Sequence, residues 1–382
     1  IVFCFLGLLA VLYTASAQSY TFNHGPYLQE LSEHAVTFVF TTSDKGFSWV
    51  EVKPDGGEAE RHYTVRNGLR DAYNTFNVIR VENLRPDTRY QYRLCSKQIA
   101  DFQPYKVTFG DSIVSPWRRF STPDPKATAC SFIALSDMHQ QPDKLGRLLN
   151  QAGVGSADMI FYVGDMMNYY DNEETPFRSF IDKSVELFAS EKPFVLVRGN
   201  HETRGNMARE YARYVPKSSG KYYGAYRVGD IMFIVFDCGE DKPDDFWVYA
   251  GLTDFDGYRT EQAAWFGELI RSKAYKSAKW RIVMNHFPPL SHMESDNPER
   301  HGIQDITDKF LPLYNQAKID LMISGHTHAY EFMSPDKYDR LTFPVIVNST
   351  ESVARIDIDG RTLKAKVTDT GGNTLKEFTI SK

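Results

Sequence analysis

The stretch Pro193-Phe-Val-Leu-Val-Arg-Gly-Asn-His-Glu202 joins a short apolar run to a group of polar side chains. The run Pro193–Val197 shows no clean alternation of polar and apolar residues, which is typical of a strand covered on both faces. An amide, an imidazole and a carboxylate follow directly after it. The stretch therefore predicts a buried strand that delivers three polar side chains to one edge of a sheet.

Four further apolar runs end in the same way. They are Ser131–Leu135, Met159–Val163, Trp280–Met284 and Leu321–Ile323. The polar residues that follow them are Asp137, His139, Asp165, Asn285, His286, His326 and His328. Ligands of open α/β sheets collect beyond the carboxyl ends of the strands. Five such endings therefore predict one shared site that binds metal.

Longer stretches between these runs carry apolar residues at close to helical spacing. They are Asp143–Ala152, Phe177–Ala189, Thr260–Ser272 and Ile306–Ala317. Amphipathic helices that alternate with buried strands are typical of an α/β layered domain. We expect this α/β domain to occupy residues 128–382.

The sequence before Ser121 has a different pattern, with short β-rich runs and no helical spacing. Its β-rich runs include Ala35–Phe40, Ser48–Val52, Thr75–Val81 and Arg89–Leu94. Turn residues such as Pro54–Gly57 separate them, so we expect an all-β sandwich domain over residues 20–122. The segment Leu84–Tyr92 resembles the corner of fibronectin type III domains, in which a tyrosine ties a strand to its loop.

The first residues, Ile1–Ala17, are apolar and close on Ala15-Ser16-Ala17, as a secretory signal does. We expect residues 1–17 to be a signal peptide and Gln18 to begin the mature protein. Export to the periplasm, the cell surface or the medium follows. A membrane anchor is the alternative, but the run is shorter than the ~20 apolar residues of a spanning helix. The mature chain is therefore expected to have no transmembrane span.

Three cysteines remain after the signal, namely Cys95, Cys130 and Cys238. An odd number without close spacing is not a disulfide framework, and the paired spacing of a zinc thiolate site is absent from the sequence. We expect buried free thiols, with one disulfide as the alternative.

The composition limits the classes of partner. With 382 residues, of which 42% are hydrophobic, the chain can form more than one core. Its net charge of -5 provides no basic field for nucleic acid. A polymer of nucleotides is therefore not expected as a partner, and the sequence leaves the oligomeric state open.

The polar residues at the strand ends can be divided between two cations. Asp165 directly follows a glycine, and its uncrowded carboxylate is the candidate that bridges both ions. Asp137 and His139 lie two residues apart and can reach one ion, while Asn200 offers a neutral oxygen to the other. Because only two carboxylates are present, the cluster keeps positive charge that attracts a phosphate oxyanion.

Three histidines complete the two ligand sets. His326 and His328 are expected to alternate along an extended segment, which gives one imidazole to each ion. His286 completes the second set. Mixed nitrogen and oxygen ligands predict two first-row metal ions, such as Fe, Zn or Mn, without choosing the pair.

These motifs resemble the calcineurin-like metallophosphoesterase superfamily, and the domain order resembles its purple acid phosphatase branch. The combination of Gly199–Glu202 with Gly325–His328 is specific to it. The resemblance implies a four-layer α/β/β/α sandwich for the catalytic domain and His201 as the catalytic histidine. It implies that one metal is held by Asp137, His139, Asp165 and His328, and the other by Asp165, Asn200, His286 and His326.

The chain departs from the purple enzymes at two positions. Those enzymes resemble it except that a glycine replaces His139 and a metal-bound tyrosine replaces Asn168. Here the tyrosine, Tyr169, stands one place later. The chain therefore resembles a non-purple relative, and we expect Asn168 to orient His201 by a hydrogen bond.

The expected activity is that of a secreted, dinuclear, metal-dependent phosphatase acting on small phosphate monoesters. Metal binding lowers the pKa of a coordinated water from about 15.7 toward ~7, so that a metal-bound hydroxide can attack phosphorus. His201, when protonated, is expected to donate to the leaving alcohol or to stabilise the charge of the transition state. Two alternatives stay open: hydrolysis of phosphodiesters or nucleotides by the same core, and a non-catalytic extracellular binding protein. The complete ligand set argues against the latter.

Five other features carry weaker expectations. Glu202 is expected to be structural. Arg204 can hold a phosphate, although a structural ion pair is the simpler assumption. His292 and His301 can face the substrate, although solvated loop histidines are the commoner case. The segment Asp241–Tyr249 breaks the layered pattern and predicts an insertion near the cleft.

Overall fold

The computed structural model describes residues 19–290 and 292–382. The predicted signal peptide, residues 1–17, lies outside the described residues. Within the described part of the chain, none of the helices combines the length and the apolar character needed to cross a membrane.

The N-terminal region is entirely β-structure. Its strands are β1 Tyr27–Gln29, β2 Val36–Pro54, β3 Glu60–His62, β4 Val65–Arg66, β5 Leu69–Arg70, β6 Asn74–Val81, β7 Arg89–Gln103, β8 Lys106–Val114 and β9 Arg118–Ser121. The long strand β2 pairs with β1 and β6 through its first half and with β3 and β7 through its second half. The Tyr90 hydroxyl accepts a hydrogen bond from the Arg85 backbone N at 2.8 Å. This is the tie between strand and loop that the sequence predicted.

Two six-stranded sheets follow. The first has the order β12-β11-β10-β19-β20-β21 and the second has the order β13-β14-β15-β16-β18-β17. Their strands are β10 Ala129–Leu135, β11 Met159–Val163, β12 Phe194–Val197, β13 Gly224–Val228, β14 Ile231–Val235, β15 Trp280–Met284, β16 Leu321–Ser324, β17 Glu331–Met333, β18 Val345–Val347, β19 Ser352–Asp359, β20 Thr362–Asp369 and β21 Thr374–Ser381. All five apolar runs of the sequence analysis are strands, as predicted.

Helices cover the outer faces of both sheets. They are α1 Pro142–Gln151, α2 Asp182–Ser184, α3 Tyr211–Tyr214, α4 Phe255–Leu269, α5 Lys273–Ser277 and α6 Arg300–Ala317. Wider π-helical turns, Phe177–Ile181 and Val185–Ala189, flank α2. The predicted starts of the last two long helices were late, since α4 begins at Phe255 and α6 at Arg300.

The core has the four layers that the sequence predicted for the catalytic domain. Phe132 and Phe161 of the first sheet meet Phe233 of the second, with ring centroids 5.2 and 5.0 Å apart. Separate apolar clusters join α1 to the outer face of the first sheet and α4 and α6 to the outer face of the second. The arrangement is α/β/β/α.

The N-terminal β region packs directly on the helices of the first sheet. Tyr27 and Phe76 belong to the same buried cluster as Phe177 and Tyr214. The Tyr27 hydroxyl donates to the Tyr214 carbonyl at 2.8 Å. The two parts of the chain therefore share a continuous apolar core.

Candidate metal centre

Parallel pairing brings the predicted ligands together. Strands β10, β11 and β12 are parallel neighbours in the first sheet, and β15 and β16 are parallel neighbours in the second. The residues that follow these five strands consequently meet at one edge of the two sheets.

The first group consists of Asp137, His139, Asp165 and His328. Their ligand atoms lie within 4.8 Å of one another. His139 Nε2 is 3.0 Å from His328 Nε2, and His328 Nε2 is 3.5 Å from Asp137 Oδ1. Nitrogen and carboxylate oxygen atoms thus converge on one point, as in a metal site.

The second group consists of Asp165, His286 and His326, whose ligand atoms also lie within 4.8 Å of one another. His286 Nε2 is 3.1 Å from Asp165 Oδ2. Asp165 belongs to both groups, so the structure gives it the position that a bridging carboxylate needs. The two groups contain the aspartate and histidine members of the two ligand sets that the family resemblance implied.

Three buried atoms at this edge fit a cation. Among the described residues, none provides a hydrogen-bond partner for Asn200 Oδ1, His286 Nε2 or His326 Nε2. Buried polar atoms are nearly always paired, because an unpaired one costs about 1–3 kcal/mol. A metal ion would satisfy all three as electron-pair donors. The donor set is therefore suited to metal.

Main-chain contacts fix the direction in which these side chains point. His286 Nδ1 donates to the Val163 carbonyl at 2.7 Å, which leaves Nε2 free to act as a ligand. The backbone N of His326 donates to Asp137 Oδ2 at 3.0 Å. The backbone N of His201 donates to Asp165 Oδ1 at 3.0 Å. Each carboxylate thus keeps one oxygen held by the protein.

Glu202 joins two of the ligand-bearing loops. It is fully buried, and it accepts from the backbone N atoms of Asp165 at 2.9 Å, Met166 at 2.8 Å and Gly199 at 2.9 Å. The carboxylate therefore locks the loop after β11 against the loop after β12. This contact supports the expectation that Glu202 is structural.

Five of the seven predicted ligands have left-handed backbone conformations. The φ angles of Asp137, His139, Asp165, His326 and His328 are 57°, 45°, 56°, 72° and 58°. Such conformations are costly for side chains other than glycine, and they cluster at functional sites. The predicted extended conformation of His326 and His328 is wrong. The two imidazoles diverge because the loop after β16 is left-handed, not because a strand alternates.

Glycines precede two of these residues, Asp165 and His326, for steric reasons. A Cβ at Gly164 would collide with the His286 ring, and one at Gly325 would collide with Asp137 Oδ2. Gly164 also has a φ of 88°, which glycine adopts without strain. The close approach of the two sheets at the metal centre therefore requires these glycines.

Burial and charge set the protonation of the centre. Burial lowers the pKa of His139 to about 4 and that of His326 to about 3, so both imidazoles are neutral near pH 7 and able to bind metal. Burial acts to raise the pKa of Asp165, but the adjacent His286 imidazolium outweighs it and holds that pKa well below its usual range. Burial acts to lower the pKa of His286, yet Asp165 and Asp137 raise it to about 10. Because a metal ligand must be deprotonated, metal binding at Nε2 would displace the proton that this carboxylate environment favours.

His201 lies beside the centre. Its Nδ1 donates to the Asn168 carbonyl at 2.6 Å, and its Nε2 is 3.9 Å from Asp165 Oδ2. The expected hydrogen bond to Asn168 is present, but it uses the main chain. The Asn168 side chain instead donates to Gln140 Oε1 at 3.0 Å. Because the contact is made by the main chain, the carbonyl of any residue at position 168 would serve.

Residues 130–330 match the sequence profile of the family described as "Calcineurin-like phosphoesterase", which is more than half of the chain. The chain belongs to this calcineurin-like phosphoesterase family. Purple acid phosphatase 21 of Arabidopsis thaliana is 22% identical to it over 277 residues, covering 69% of this chain and 55% of the relative. Purple acid phosphatase of Glycine max is 22% identical over 352 residues, covering 84% of this chain and 70% of the relative. The chain spans about half the length of the Arabidopsis relatives that it matches.

Two solved structures share the fold of this phosphoesterase. Purple acid phosphatase PPD1 from yellow lupin (Lupinus luteus) seeds superposes with a TM-score of 0.67 at 14% identity, covering 93% of this chain and 74% of that one. PhoD superposes with a TM-score of 0.62 at 13% identity, covering 93% and 89% of the respective chains. Both similarities extend through the N-terminal β region.

Other candidate residues of the phosphoesterase lie outside the metal centre. His301 Nε2 is 2.8 Å from Asp256 Oδ1, and His292 Nε2 is 3.1 Å from Glu331 Oε2. Arg204 forms the ion pair that was the simpler expectation. Its partners are Glu240 and Asp241, which the sequence analysis did not single out. Two adjacent acidic residues next to Gly239 were the available signal, but only the fold shows that they face Arg204.

Proposed function

We propose that this chain is a metal-dependent phosphoesterase that hydrolyses small phosphate monoesters. The observation that carries the proposal is the set of buried, unpartnered atoms of Asn200, His286 and His326 around Asp165. Two cations at this edge would be held by Asp137, His139, Asp165 and His328, and by Asp165, Asn200, His286 and His326. The relatives named purple acid phosphatase support the choice of phosphate esters.

Side chains of the protein would balance the charge of the cations and transfer a proton. Bound divalent cations supply a nucleophilic water at neutral pH and bind phosphate oxygens. Asp165 and Asp137 balance part of their charge. His201, whose Nδ1 is fixed by a carbonyl, has Nε2 3.9 Å from Asp165 Oδ2 and in contact with Arg204 Nη1. Once Nε2 carries a proton in place of the Arg204 contact, it can transfer that proton to the leaving oxygen. The oriented imidazole is expected to contribute about 10²- to 10⁴-fold to the rate.

Metal analysis combined with hydrolysis assays tests this proposal. Purified protein loaded with Zn²⁺, Mn²⁺ or Fe is compared with an Asn200→Ala variant, using phenyl phosphate as monoester and bis-phenyl phosphate as diester. The variant is expected to lose one bound metal and most of the hydrolysis. Asn150→Ala is the control, because Asn150 is exposed on α1, away from the strand ends. Equal metal content and equal rates in both variants would contradict the proposal.

Export and domain division are further parts of the proposal. The apolar segment Ile1–Ala17 supports a signal peptide, and the change from all-β to α/β structure between β9 and β10 supports domains over residues 20–122 and 128–382. Protein recovered outside the producing cells is expected to begin at Gln18, which N-terminal sequencing measures. Retention inside the cells with residues 1–17 intact would contradict export.

A further inference from the structure

A cavity of about 860 Å³ lies next to the candidate metal centre. Part of the lining is formed by residues 203–205, which follow His201 after Glu202. Another part is formed by Val248, Tyr249 and residues 252–255, which lie in and shortly after the predicted insertion Asp241–Tyr249. The volume is in the range of sites that enclose small organic ligands.

Arg204 connects the cavity to the metal centre. It lines the cavity, and its Nη1 donates to His201 Nε2 at 3.1 Å. Glu240 Oε2 and Asp241 Oδ2 hold its Nη2 at 2.8 and 3.1 Å. A ligand in the cavity is thus separated from the catalytic imidazole by one fixed guanidinium.

The lining of the cavity is rich in cations. Five basic residues line it, against the two acidic residues Glu240 and Asp254; the basic residues are Arg198, Arg204, Arg209, Lys221 and Lys242. Arg209 is exposed, and no acidic side chain in the described ranges forms an ion pair with it. The other four basic residues form ion pairs with carboxylates, so among the described residues Arg209 is the lining cation whose charge is left without an ion pair.

The rim of the cavity is apolar and open to solvent. Leu252 and Val248 line it and are 69% and 45% exposed, and the neighbouring Trp247 is 80% exposed. Large apolar side chains left together in solvent commonly mark a binding surface. The inner wall adds the rings of Tyr222 and Phe255.

We propose that this cavity, here called the Arg209 cavity, binds the alcohol part of the substrate. It accepts alcohols that carry an aromatic body and a second anionic group. The alcohol part of an ester whose phosphate lies at the metal centre must extend away from the centre, past a partly exposed side chain. His201 is such a side chain, with 24% of it exposed, and residues 203–205, which follow it after Glu202, line the cavity. The inference rests on the proposed phosphoesterase activity and adds the class of ester to it.

Two substrates that differ only in the alcohol test this inference. They are phenyl phosphate and a naphthyl phosphate bearing a sulfonate. Arg209→Ala is expected to lower kcat/KM for the sulfonated ester about threefold to tenfold, and to leave phenyl phosphate within about twofold. Leu252→Lys is expected to raise kcat/KM for the sulfonated ester, and Leu252→Asp to lower it. Arg271→Ala, an exposed arginine outside the cavity, is the control.

Fluorescence titration with the sulfonated naphthol, which is the product alcohol, separates failure of the inference from failure of the proposed function. Binding that is weakened by Arg209→Ala supports the cavity even if no ester is hydrolysed, in which case the phosphoesterase proposal falls alone. Hydrolysis of both esters with equal losses in all variants, and product binding indifferent to Arg209, would overturn the inference.

Discussion

Asp165 Oδ2 lies 3.1 Å from His286 Nε2, yet His286 Nε2 has no hydrogen-bond partner among the described residues. Both atoms belong to a group of candidate ligand atoms that lie within 4.8 Å of one another. A cation bound among them would contact both. The predictions below follow from this relationship and from the contacts around it.

Metal is expected to stabilise the protein through Asp165. A ligand present at about 1,000 times its Kd stabilises a folded protein by about 4.1 kcal/mol, so adding Zn²⁺ or Mn²⁺ to chelator-treated protein should raise Tm by several degrees. Asp165→Asn should remove most of this rise, because both ligand groups share that carboxylate. Calorimetry measures the shift, and Asp143→Asn on α1 is the control. A full metal-dependent rise in the Asp165 variant would contradict the shared position.

Glu202→Gln is expected to destabilise the fold. The amide has one acceptor oxygen where the carboxylate has two, and three backbone N–H groups within 2.9 Å depend on them. Leaving one such donor unsatisfied costs about 1–3 kcal/mol. Urea unfolding is expected to show this loss, whereas the exposed Glu210→Gln should change stability by less than about 0.5 kcal/mol.

Asn168→Ala is expected to leave catalysis nearly unchanged. His201 is oriented by the Asn168 carbonyl, which alanine retains. Hydrolysis should therefore fall less than about tenfold, compared with about 10²- to 10⁴-fold for His201→Ala. Steady-state kcat measures both. A loss in Asn168→Ala as large as that in His201→Ala would restore a role for the amide.

Iron-loaded protein is expected to be colourless in the visible range. The resemblance places a metal-bound tyrosine of the purple enzymes at the position of Asn168, and the following Tyr169 is 53% exposed. An absorption spectrum after iron loading checks this. An intense visible band that disappears in Tyr169→Phe would show that the neighbouring tyrosine reaches the metal.

Stability is expected to depend on pH through His24. This imidazole stacks on Phe177 with ring centroids 4.0 Å apart, and its Nδ1 lies 3.0 Å from Asp182 Oδ1. The hydrogen bond with Asp182 raises the pKa of His24 above 6.5, although burial opposes it. A raised folded-state pKa gives stability that is complete below pH 6.5 and is lost as pH rises through the folded value.

The comparison of wild type with His24→Gln isolates this contribution. The difference in free energy of unfolding should be larger at pH 5.5 than at pH 8.5 by about 1 kcal/mol or less, because Asp182 is partly exposed. His34→Gln is the control, because His34 is more exposed and its Nδ1 contacts the Leu84 carbonyl. A difference that grows with pH would contradict the assignment.

The positions of the candidate ligands could be predicted from sequence because each follows a buried strand. Parallel strands of fixed length place their following residues at one edge, so Asp165 and His286 meet although 121 positions separate them. Which atoms bind metal remains a prediction. The backbone at His326 could not be predicted, because a left-handed loop and an extended one share the same local sequence signals.

Sequence patterns could not predict the contacts between loops. Arg204 meets Glu240 and Asp241 only because the turn after β12 faces the turn after β14. The π-helical turns around α2 keep the apolar spacing of an ordinary helix, so the periodicity of Phe177–Ala189 predicted a helix but not its wider turns.

The shared core of the N-terminal β region and the helical layer couples the unfolding of these two parts. Removing residues 20–122 would leave Phe177 and Tyr214 facing water, and the Tyr214 carbonyl without the Tyr27 hydroxyl. Neither part can therefore unfold without exposing the apolar surface that it covers on the other. Heating should show one cooperative transition, and a fragment that begins at residue 128 should aggregate instead of persisting as an autonomous hydrolase.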